Sequence, residues 1–231
     1  MFKIHVVDRS NRHHYAGHLE EYYRVRHQIY VVERGWRDLA RPDLREVDAF
    51  DTEDAVYLLG ICPGKGIVAG SRLVPSLKPH LLGDVFPELA GGLVPRSAET
   101  YEWTRVFVIP GMREPGRPSR AAGIVYCGML EACRMRGIKR LTVVCEPYWQ
   151  PRLMTMGWNP QPLGEVLHHK DGPVMALLLT LNDDALVQTR EFYRIQDSVL
   201  ANRPPPPEVS GIDNCYGNSS RSFVNTARQK S

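Results

Sequence analysis

The run Tyr101-Glu102-Trp103-Thr104-Arg105-Val106-Phe107-Val108-Ile109 decides the fold, because aromatic and β-branched residues fill it and Pro110-Gly111 ends it. This pattern predicts a buried strand in the middle of a sheet. Two charges, Glu102 and Arg105, interrupt the run, and buried charges are unfavourable unless they are paired or used. Side chains alternate along a flat strand, so these two would face opposite sides of the sheet. If both serve one site, the strand must bulge or twist between them.

The segments on either side of this strand predict an α/β domain. Apolar runs bounded by turn residues predict strands at 2–7, 55–62, 67–75, 139–145, 163–168 and 173–181. Apolar spacings of three and four predict helices at 15–33, 120–136, 147–156 and 184–200. Residues 1–203 are therefore expected to form one three-layer α/β/α sandwich with a mostly antiparallel sheet. Residues 204–231 begin with a proline run, continue rich in Ser, Asn and Gly, and are expected to be a mobile tail.

Composition excludes several classes of protein. The 231 residues suffice for one good-sized core, and the net charge of +3 is too small to indicate a nucleic-acid partner. No apolar run reaches transmembrane length, and the N-terminus lacks the apolar core and cleavage site of a signal peptide. The five cysteines are scattered and odd in number, which favours a reduced, cytoplasmic protein. We expect no metal, and the sequence sets no oligomeric state.

Arg26 interrupts the apolar face of the first predicted helix. Leu19, Tyr22, Ile29 and Glu33 share that face with it, at spacings of three and four. An arginine there can extend its charged end to the surface, or it can pair with a buried acid. Both interpretations stay open from the sequence.

Acids follow closely in the irregular segment 36–54, in the pattern Glu46-x-Asp48-x-x-Asp51. A loop of this length inside a compact domain is usually functional or mobile, although loop carboxylates are most often solvated surface. Arg72, in the second hairpin strand, is expected to belong to a structural salt-bridge network. Phe86 is expected to anchor the irregular stretch 76–98.

These pieces occur together and in one order along residues 2–180. They are Arg26, Tyr30, Glu33, Arg34 and Trp36, then Glu46-x-Asp48-x-x-Asp51, then Ser71-Arg72-Leu73, then Phe86, then Glu102-x-x-Arg105-Val106-x-Val108. The combination resembles the acyl-homoserine-lactone synthases, the LuxI-type autoinducer synthases. Two positions depart from the family pattern, because the family usually has Phe at Tyr30 and smaller residues at Trp103.

The resemblance implies a GNAT-like fold with a splayed central sheet and an acyl-transfer reaction. An acyl group passes from a thioester to the α-amine of S-adenosylmethionine, and the methionine carboxylate then displaces methylthioadenosine from the γ-carbon. The product, an N-acyl-L-homoserine lactone, is a quorum-sensing signal. The expected partners are these two small-molecule substrates, with no tightly bound cofactor, no nucleic acid and no membrane, and an acyl-carrier protein is the alternative donor.

The resemblance also implies roles for the polar residues. Glu102 is the expected general base for the amine, directly or through a water, and Arg105 is expected to brace the acids around it. An equal alternative is that Glu102 pairs with an arginine and holds the sheet. Acids suit the cationic groups of S-adenosylmethionine, an arginine suits its carboxylate, and aromatic faces suit its adenine or sulfonium. The residues expected to bind it are Arg26, Tyr30, Arg34, Trp36, Asp48, Asp51, Val106 and Phe107.

The acyl thioester is expected where the central strand and strand 139–145 splay apart, because free backbone groups there can pair with the pantetheine arm. Basic residues before helix 120–136 suit its phosphates, and they equally suit a basic surface turn or a docking patch for an acidic carrier. Bulky aromatics favour a short, compact acyl group, and segment 23–60 is most similar to the branch that uses aryl or branched-chain acyl-coenzyme A. The residues expected at the acyl donor are Tyr101, Trp103, Arg113, Arg117, Arg120, Leu141, Val143, Trp149 and Met154.

Two other functions stay open from the sequence. A GNAT-type N-acyltransferase acting on another amine would not need Asp48, Asp51 and Trp36 together. A non-catalytic sensor of acyl thioesters or S-adenosylmethionine would bind without turnover, and Glu102→Gln would change its affinity little. Release of methylthioadenosine from S-adenosylmethionine and an acyl thioester distinguishes the three.

Overall fold

The computed structural model describes residues 1–114, 116 and 119–204. Its main sheet has the strand order β1-β2-β3-β4-β5-β8-β6, and β7 pairs with β8. The strands are β1 (Lys3–Val7), β2 (Val56–Cys62), β3 (Gly66–Pro75), β4 (Thr100–Val108), β5 (Arg140–Cys145), β6 (Pro160–Pro162), β7 (Leu167–His169) and β8 (Gly172–Thr180). The helices are α1 (Ala16–Arg26), α2 (Leu81–Asp84), α3 (Arg120–Arg136), α4 (Trp149–Thr155) and α5 (Asp183–Tyr193). The β4–β5 pair is parallel, and the other pairs are antiparallel.

Apolar side chains of the sheet are buried on both faces, so the predicted three-layer sandwich is confirmed. On one face, α3 and α5 cover a large core that includes Leu73, Trp103 and Leu141. On the other face, α1 covers β1–β3 with a core that includes Tyr57 and Phe107. A smaller apolar cluster covers β5 and β8 on that second face.

The first predicted helix is α-helical only as far as Arg26. The chain continues as a wider π-helical turn over His27–Glu33. This turn shifts the register of the apolar stripe, so Glu33 is exposed and was wrongly placed on the buried face.

The C-terminal elements also differ from the sequence prediction. The strand expected at 163–168 is displaced, because β6 (Pro160–Pro162) precedes it and β7 (Leu167–His169) is short. The last helix ends at Tyr193, because Arg194 takes a left-handed conformation, with a φ of 53°. The chain then extends to β1, where Leu200 forms a parallel bridge with Ile4.

The parallel pairing between β4 and β5 covers three residue pairs and ends at Glu102 and Thr142. Beyond that pair, β4 continues to Val108 and β5 to Cys145 without pairing to each other. The two strands therefore form an open fork, here defined as β4 from Trp103 onward and β5 from Val143 onward. Its presence confirms the splayed central sheet expected from the resemblance.

A bulge in β4 lies at Arg105. Thr104 pairs with Arg72 and Phe107 pairs with Gly70, so Arg105 and Val106 together lie opposite one residue of β3. Arg105 has a φ of 54°, the left-handed conformation that a bulge can impose on its first residue. The expected irregularity is therefore confirmed, although it lies at Arg105 itself and not between Glu102 and Arg105. It directs the Arg105 side chain to the α1 face, the same face as Glu102.

Some predictions fall outside the described residues, namely the tail at 204–231 beyond its first residue, Cys215 and Arg117. Within the described part of the chain, Cys127, Cys133 and Cys145 are buried free thiols. No helix there is long and apolar enough to cross a membrane.

Candidate active site

Six charged side chains form one network on the α1 face of the sheet. Arg26 of α1 donates to Glu46 at 2.5 Å and to Asp51 at 2.7 Å. Arg72 of β3 donates to Asp48 at 2.6 Å. The network consists of Arg26, Arg72, Arg105, Glu46, Asp48 and Asp51. Three cations balance three anions, so the cluster is electrically neutral when every member is ionised.

Arg105 joins two of the acids in this network. Its guanidinium donates to Glu46 at 3.0 Å and to Asp48 at 2.8 Å. The left-handed bulge makes these contacts possible, because a flat strand would direct Arg105 to the opposite face. Arg105 therefore lies against the acids that the sequence analysis expected it to brace.

Only part of this network is accessible to a substrate. The side chains of Asp48 and Arg105 are 15% and 10% exposed. Arg26, Arg72, Glu46 and Asp51 are sealed in the core. Arg26 and Asp51 were expected to bind S-adenosylmethionine, but in this arrangement they reach no solvent and instead hold the loop against α1. Arg72 is buried and paired, as expected for a member of a structural network.

The network shifts the ionisation of its buried acids. Burial alone would raise the pKa of Asp51, but Arg26 and Arg72 outweigh burial and hold this pKa well below its usual range. In the same way, Arg105 and Arg26 lower the pKa of Glu46 despite its burial. Both acids are therefore ionised at neutral pH.

Glu46 is a network member that the sequence prediction left out of the site. It is fully buried and bridges Arg26 and Arg105. The available signal was its place at the start of the Glu46-x-Asp48-x-x-Asp51 pattern, which puts three acids in one loop. Sequence reasoning could not tell that the first acid turns inward while Asp48 stays partly open.

An aromatic shelf lies beside Arg105. The rings of Tyr30 and Trp36 stack with centroids 5.3 Å apart, and Gly35, with a φ of 76°, lets the chain turn between them. The Tyr30 hydroxyl donates to the backbone carbonyl of Val106 at 3.0 Å. Arg105 lies over the Tyr30 ring at 5.4 Å, and this contact links the shelf to the network.

The shelf brings together four of the residues predicted to bind S-adenosylmethionine, namely Tyr30, Arg34, Trp36 and Val106. Arg34 lies over the Trp36 ring at 5.5 Å, and Trp36 is partly exposed. Phe107, by contrast, is buried against Tyr22 with centroids 5.7 Å apart. Trp36 is therefore available to stack on a ligand, whereas Phe107 is part of the core.

Glu102 lies at the closed end of the fork and is fully buried. Its two carboxylate oxygens accept hydrogen bonds from the backbone N–H groups of Leu81 at 2.8 Å and Leu82 at 2.7 Å. No arginine in the described part of the chain is within ion-pair distance, so the alternative of a Glu102–Arg pair is wrong. Burial raises the pKa of Glu102 to about 7, and the two amides oppose that shift.

Aromatic residues fill the α3 face of the fork. Trp103 contacts Tyr126 at 5.9 Å and Trp158 at 5.8 Å between ring centroids. Tyr126 also contacts Trp149 at 6.3 Å. We name these four residues the aromatic box. Tyr126 was missed because the sequence shows a helix with many apolar residues and does not show which of them points at the sheet.

Other predicted acyl-donor residues fall in different surroundings. Leu141 and Val143 are buried on the same face as Trp103, and Tyr101 packs against that core. Met154 is 60% exposed, so its placement in the acyl pocket is wrong. Helix α4 is short, and it buries Leu153 in place of Met154.

Arg113 and Arg120, two of the predicted phosphate-binding arginines, lie in the connection from β4 to α3 and at its end. Arg113, just after β4, forms an ion pair with Glu33. Arg120 begins α3 and is exposed. Arg34 forms a 3.0 Å ion pair with Glu146, which follows β5. Arg113 and Arg120 are thus at the surface, where an anionic ligand can reach them.

Segment 76–98 is anchored differently from the prediction. Phe86 is only partly buried and contacts His169. The fully buried apolar residues are Leu82 and Leu89, which pack against Ala176 of β8. Two short helical turns carry them, and sequence reasoning missed these turns because each is a single turn long.

A family model for autoinducer synthases matches residues 10–189, which is most of the chain. The chain belongs to the autoinducer synthase family. It is 40% identical, over 162 residues, to the isovaleryl-homoserine lactone synthase of Bradyrhizobium diazoefficiens, and the match covers 70% of this chain and 72% of that protein. Family members are acyl-homoserine-lactone synthases, which are acyltransferases, so the predicted family and enzyme class are confirmed.

Solved structures of autoinducer synthases match the fold. MesI, described as a CoA-dependent acyl-homoserine lactone synthase, has a TM-score of 0.79 and 48% identity, and the match covers 87% of this chain and 100% of that one. BjaI, solved with SAM and isopentyl-CoA, has a TM-score of 0.82 and 32% identity, with 89% and 95% covered. An N-acetyltransferase from Lactobacillus plantarum, at 16% identity and a TM-score of 0.50, is similar in fold alone. The GNAT-like fold is thereby confirmed.

Proposed function

We propose that this synthase transfers a short branched or aryl acyl group from acyl-coenzyme A to S-adenosylmethionine. The amine nitrogen attacks the thioester carbonyl, a C–N bond forms, the C–S bond breaks, and the thiolate leaves and takes up a proton. A carboxylate oxygen of the acylated intermediate then attacks the γ-carbon. A C–O bond forms, the bond to the sulfonium breaks, and methylthioadenosine leaves as a neutral molecule. The signal produced is an N-acyl-L-homoserine lactone.

The observation that carries this proposal is the contrast between the two faces of the fork. A neutral ion network with a partly open acid and arginine lies on one face, and the aromatic box lies on the other. S-adenosylmethionine carries both charges and an aromatic base, so it suits the first face. An acyl group has no charge and suits the second. The fork joins the two faces at one strand, which brings an amine and a thioester together.

Three residues are placed to hold S-adenosylmethionine. The carboxylate of Asp48 suits its ammonium group, and the guanidinium of Arg105 suits its carboxylate. Trp36 offers a partly exposed ring for the adenine or the sulfonium. Arg26, Arg72, Glu46 and Asp51 act through these residues, because they fix the position of the loop that carries Asp48.

The aromatic box supports a short acyl group. Trp103 stands where the family commonly has smaller residues, and its ring occupies space that a long chain would need. MesI is a CoA-dependent synthase and BjaI was solved with isopentyl-CoA, and both findings support coenzyme A over a carrier protein as donor. Arg113 and Arg120 are the described residues that we assign to its phosphates. A cytoplasmic location fits these substrates, which are made there.

Incubation of the purified protein with S-adenosylmethionine and a panel of acyl donors tests the proposal. The panel contains isovaleryl-, cinnamoyl-, hexanoyl- and decanoyl-coenzyme A and the matching acyl-carrier proteins. The expected result is release of methylthioadenosine and an acyl-homoserine lactone, fastest with isovaleryl- or cinnamoyl-coenzyme A. A faster reaction with decanoyl donors or with carrier proteins would contradict the proposed donor. No methylthioadenosine with any donor would contradict the reaction.

A further inference from the structure

We propose that Glu102 is a positioning residue that clamps residues 76–98 against the closed end of the fork, and that it is not the base that deprotonates the substrate amine. This inference rests on the proposed function. Residues 76–98 are here named the cover segment. The clamp consists of one carboxylate on β4 and two consecutive backbone N–H groups at the start of α2.

The geometry of the clamp is specific. Leu81 donates to one oxygen of Glu102 and Leu82 to the other, at 2.8 and 2.7 Å. Two donors on one carboxylate are satisfied together only if the strand and the turn stay in register. Charge-assisted hydrogen bonds of this kind are about twice as strong as neutral ones. Glu102 therefore ties the cover segment to the last residue pair that joins β4 to β5.

The cover segment closes the second face of the sheet next to the ion network. Leu82 and Leu89 are buried against Ala176 of β8. At its far end the segment touches the loop after β6 so closely that a Cβ at Gly164 would lie 2.7 Å from the Leu89 carbonyl oxygen. At its near end, Lys78 forms a 2.9 Å ion pair with Asp54, in the stretch that follows the network acids. The segment thus spans from the network loop to β8, with Glu102 between its two ends.

The same contacts remove Glu102 from the position of a base. A base must come within about 3 Å of the atom that gives up the proton, directly or through one water. Glu102 is fully buried, and both of its oxygens already accept a backbone hydrogen. An amine could reach it only after the cover segment had moved away. Its pKa of about 7 is a consequence of that burial and does not by itself indicate a base.

The chemistry does not require a buried carboxylate. An α-amino group has a pKa of about 8, and a sulfonium nearby lowers it further, so a useful fraction is neutral near pH 8. The proton then passes to water in the open fork. The acid limb of the pH–rate profile should belong to the substrate amine, and it should persist when Glu102 is replaced.

Two variants test the clamp from opposite sides. Glu102→Gln keeps the shape of the side chain but replaces one acceptor oxygen with an NH₂ group, so one amide of α2 loses its partner. Asp84→Asn leaves Glu102 untouched and weakens α2, because the Asp84 carboxylate accepts the backbone N–H of His80 at 2.8 Å. For both we expect faster amide exchange over residues 81–90 and a KM for both substrates that rises by about tenfold. The acid limb of the kcat/KM profile should be unchanged.

Each measurement can overturn the proposal. Unchanged exchange over 81–90 in Glu102→Gln would show that the carboxylate does not hold the segment. Loss of the acid limb in Glu102→Gln would identify Glu102 as the base. If Glu102→Gln does not fold, Asp84→Asn decides alone. Faster amide exchange over 81–90 with unchanged KM values would then show that the cover segment does not affect substrate binding. Amide exchange needs no substrate, so it reports on the clamp even if no acyl donor releases methylthioadenosine.

Discussion

The two faces of β4 are built on different physical principles, although residues of one strand supply both. On the α1 face, Arg105 joins a set of ion pairs in which each member has defined partners, and the Thr104 hydroxyl accepts a hydrogen bond from Arg72. On the α3 face, Trp103 lies among rings that touch through their surfaces. The first face depends on pairing, and the second depends on volume.

This difference predicts how each face responds to substitution. Removing one member of the ion network leaves a buried charge without a partner, which affects the whole cluster. Removing atoms from the aromatic box leaves space, and the effect grows with the volume removed. The network should therefore determine whether the reaction takes place, and the box should determine which acyl group is used.

The largest effect is expected for Arg26→Ala. Glu46 and Asp51 would both lose a buried partner, so the free energy of unfolding should fall by about 3–5 kcal/mol, and activity should be lost. Urea denaturation measures this change.

Arg45→Ala is the matched control. Arg45 lies in the same loop, and its partners are the partly exposed Glu20 and the exposed Asp43. An exposed pair is worth about 0–1 kcal/mol, so this variant should stay close to the parent. Equal losses in the two variants would show that burial of the network does not set its strength.

Acid should weaken the network in a defined range. The folded-state pKa values of Asp51 and Glu46 are lowered, so their contribution to stability is complete above the unfolded values of about 4 and is lost as pH falls further. The free energy of unfolding, measured between about pH 2 and pH 6, should fall steeply below pH 4. Arg26→Ala should flatten that fall. A change in the aromatic box should lower the whole curve and leave its slope unchanged, and a changed slope would contradict the separation of the two faces.

The sequence predicted which residues form the ion network on the α1 face better than it predicted how deeply each of them is buried. Arg26 and the three loop acids stand out because charge in an apolar pattern needs a partner, and the bulge at Arg105 follows from strand alternation. The depth of each member did not follow, since Asp48 and Asp51 are three residues apart in one loop yet only Asp48 is partly open. Burial in a loop is set by distant elements, here α1 and β3.

The aromatic face and the cover segment were harder to predict. Tyr126 was missed and Met154 was misplaced, because both belong to helices whose orientation depends on tertiary packing. The partners of Glu102 are two backbone amides, and a pattern of side chains in the sequence does not predict which backbone N–H groups will donate to a buried carboxylate. The sequence could show that the buried Glu102 carboxylate needed a hydrogen-bond or ion-pair partner, but it could not show which groups supply it.

A smaller effect is expected for Trp103→Leu, and it should act on specificity. The Trp103 indole N–H has no hydrogen-bond partner in the described residues, so leucine removes volume without removing a hydrogen bond. Additional space for one or two methylenes should change the ratio of kcat/KM between hexanoyl- and isovaleryl-coenzyme A by about tenfold or more in favour of the longer chain. Met154→Ala is the control, because this side chain is 60% exposed and should leave the ratio unchanged. An unchanged ratio in Trp103→Leu would remove Trp103 from the acyl pocket.

The smallest effect is expected for Tyr30→Phe, which introduces the residue usual in the family. The Tyr30 side chain contacts the bulge of β4, the strand that contributes to both faces. The Tyr30 hydroxyl donates to the Val106 carbonyl, so its loss should lower the free energy of unfolding by about 1 kcal/mol. Tyr22→Phe is a matched control about two turns of helix away, at a buried hydroxyl that has no hydrogen-bond partner among the described residues. It should be neutral or slightly stabilising. Because the Val106 carbonyl belongs to the bulge that directs Arg105 toward Asp48, Tyr30→Phe should also raise the KM for S-adenosylmethionine more than that for the acyl donor. Equal effects of the two variants on stability and KM would mean that the Tyr30 hydroxyl does not hold the bulge.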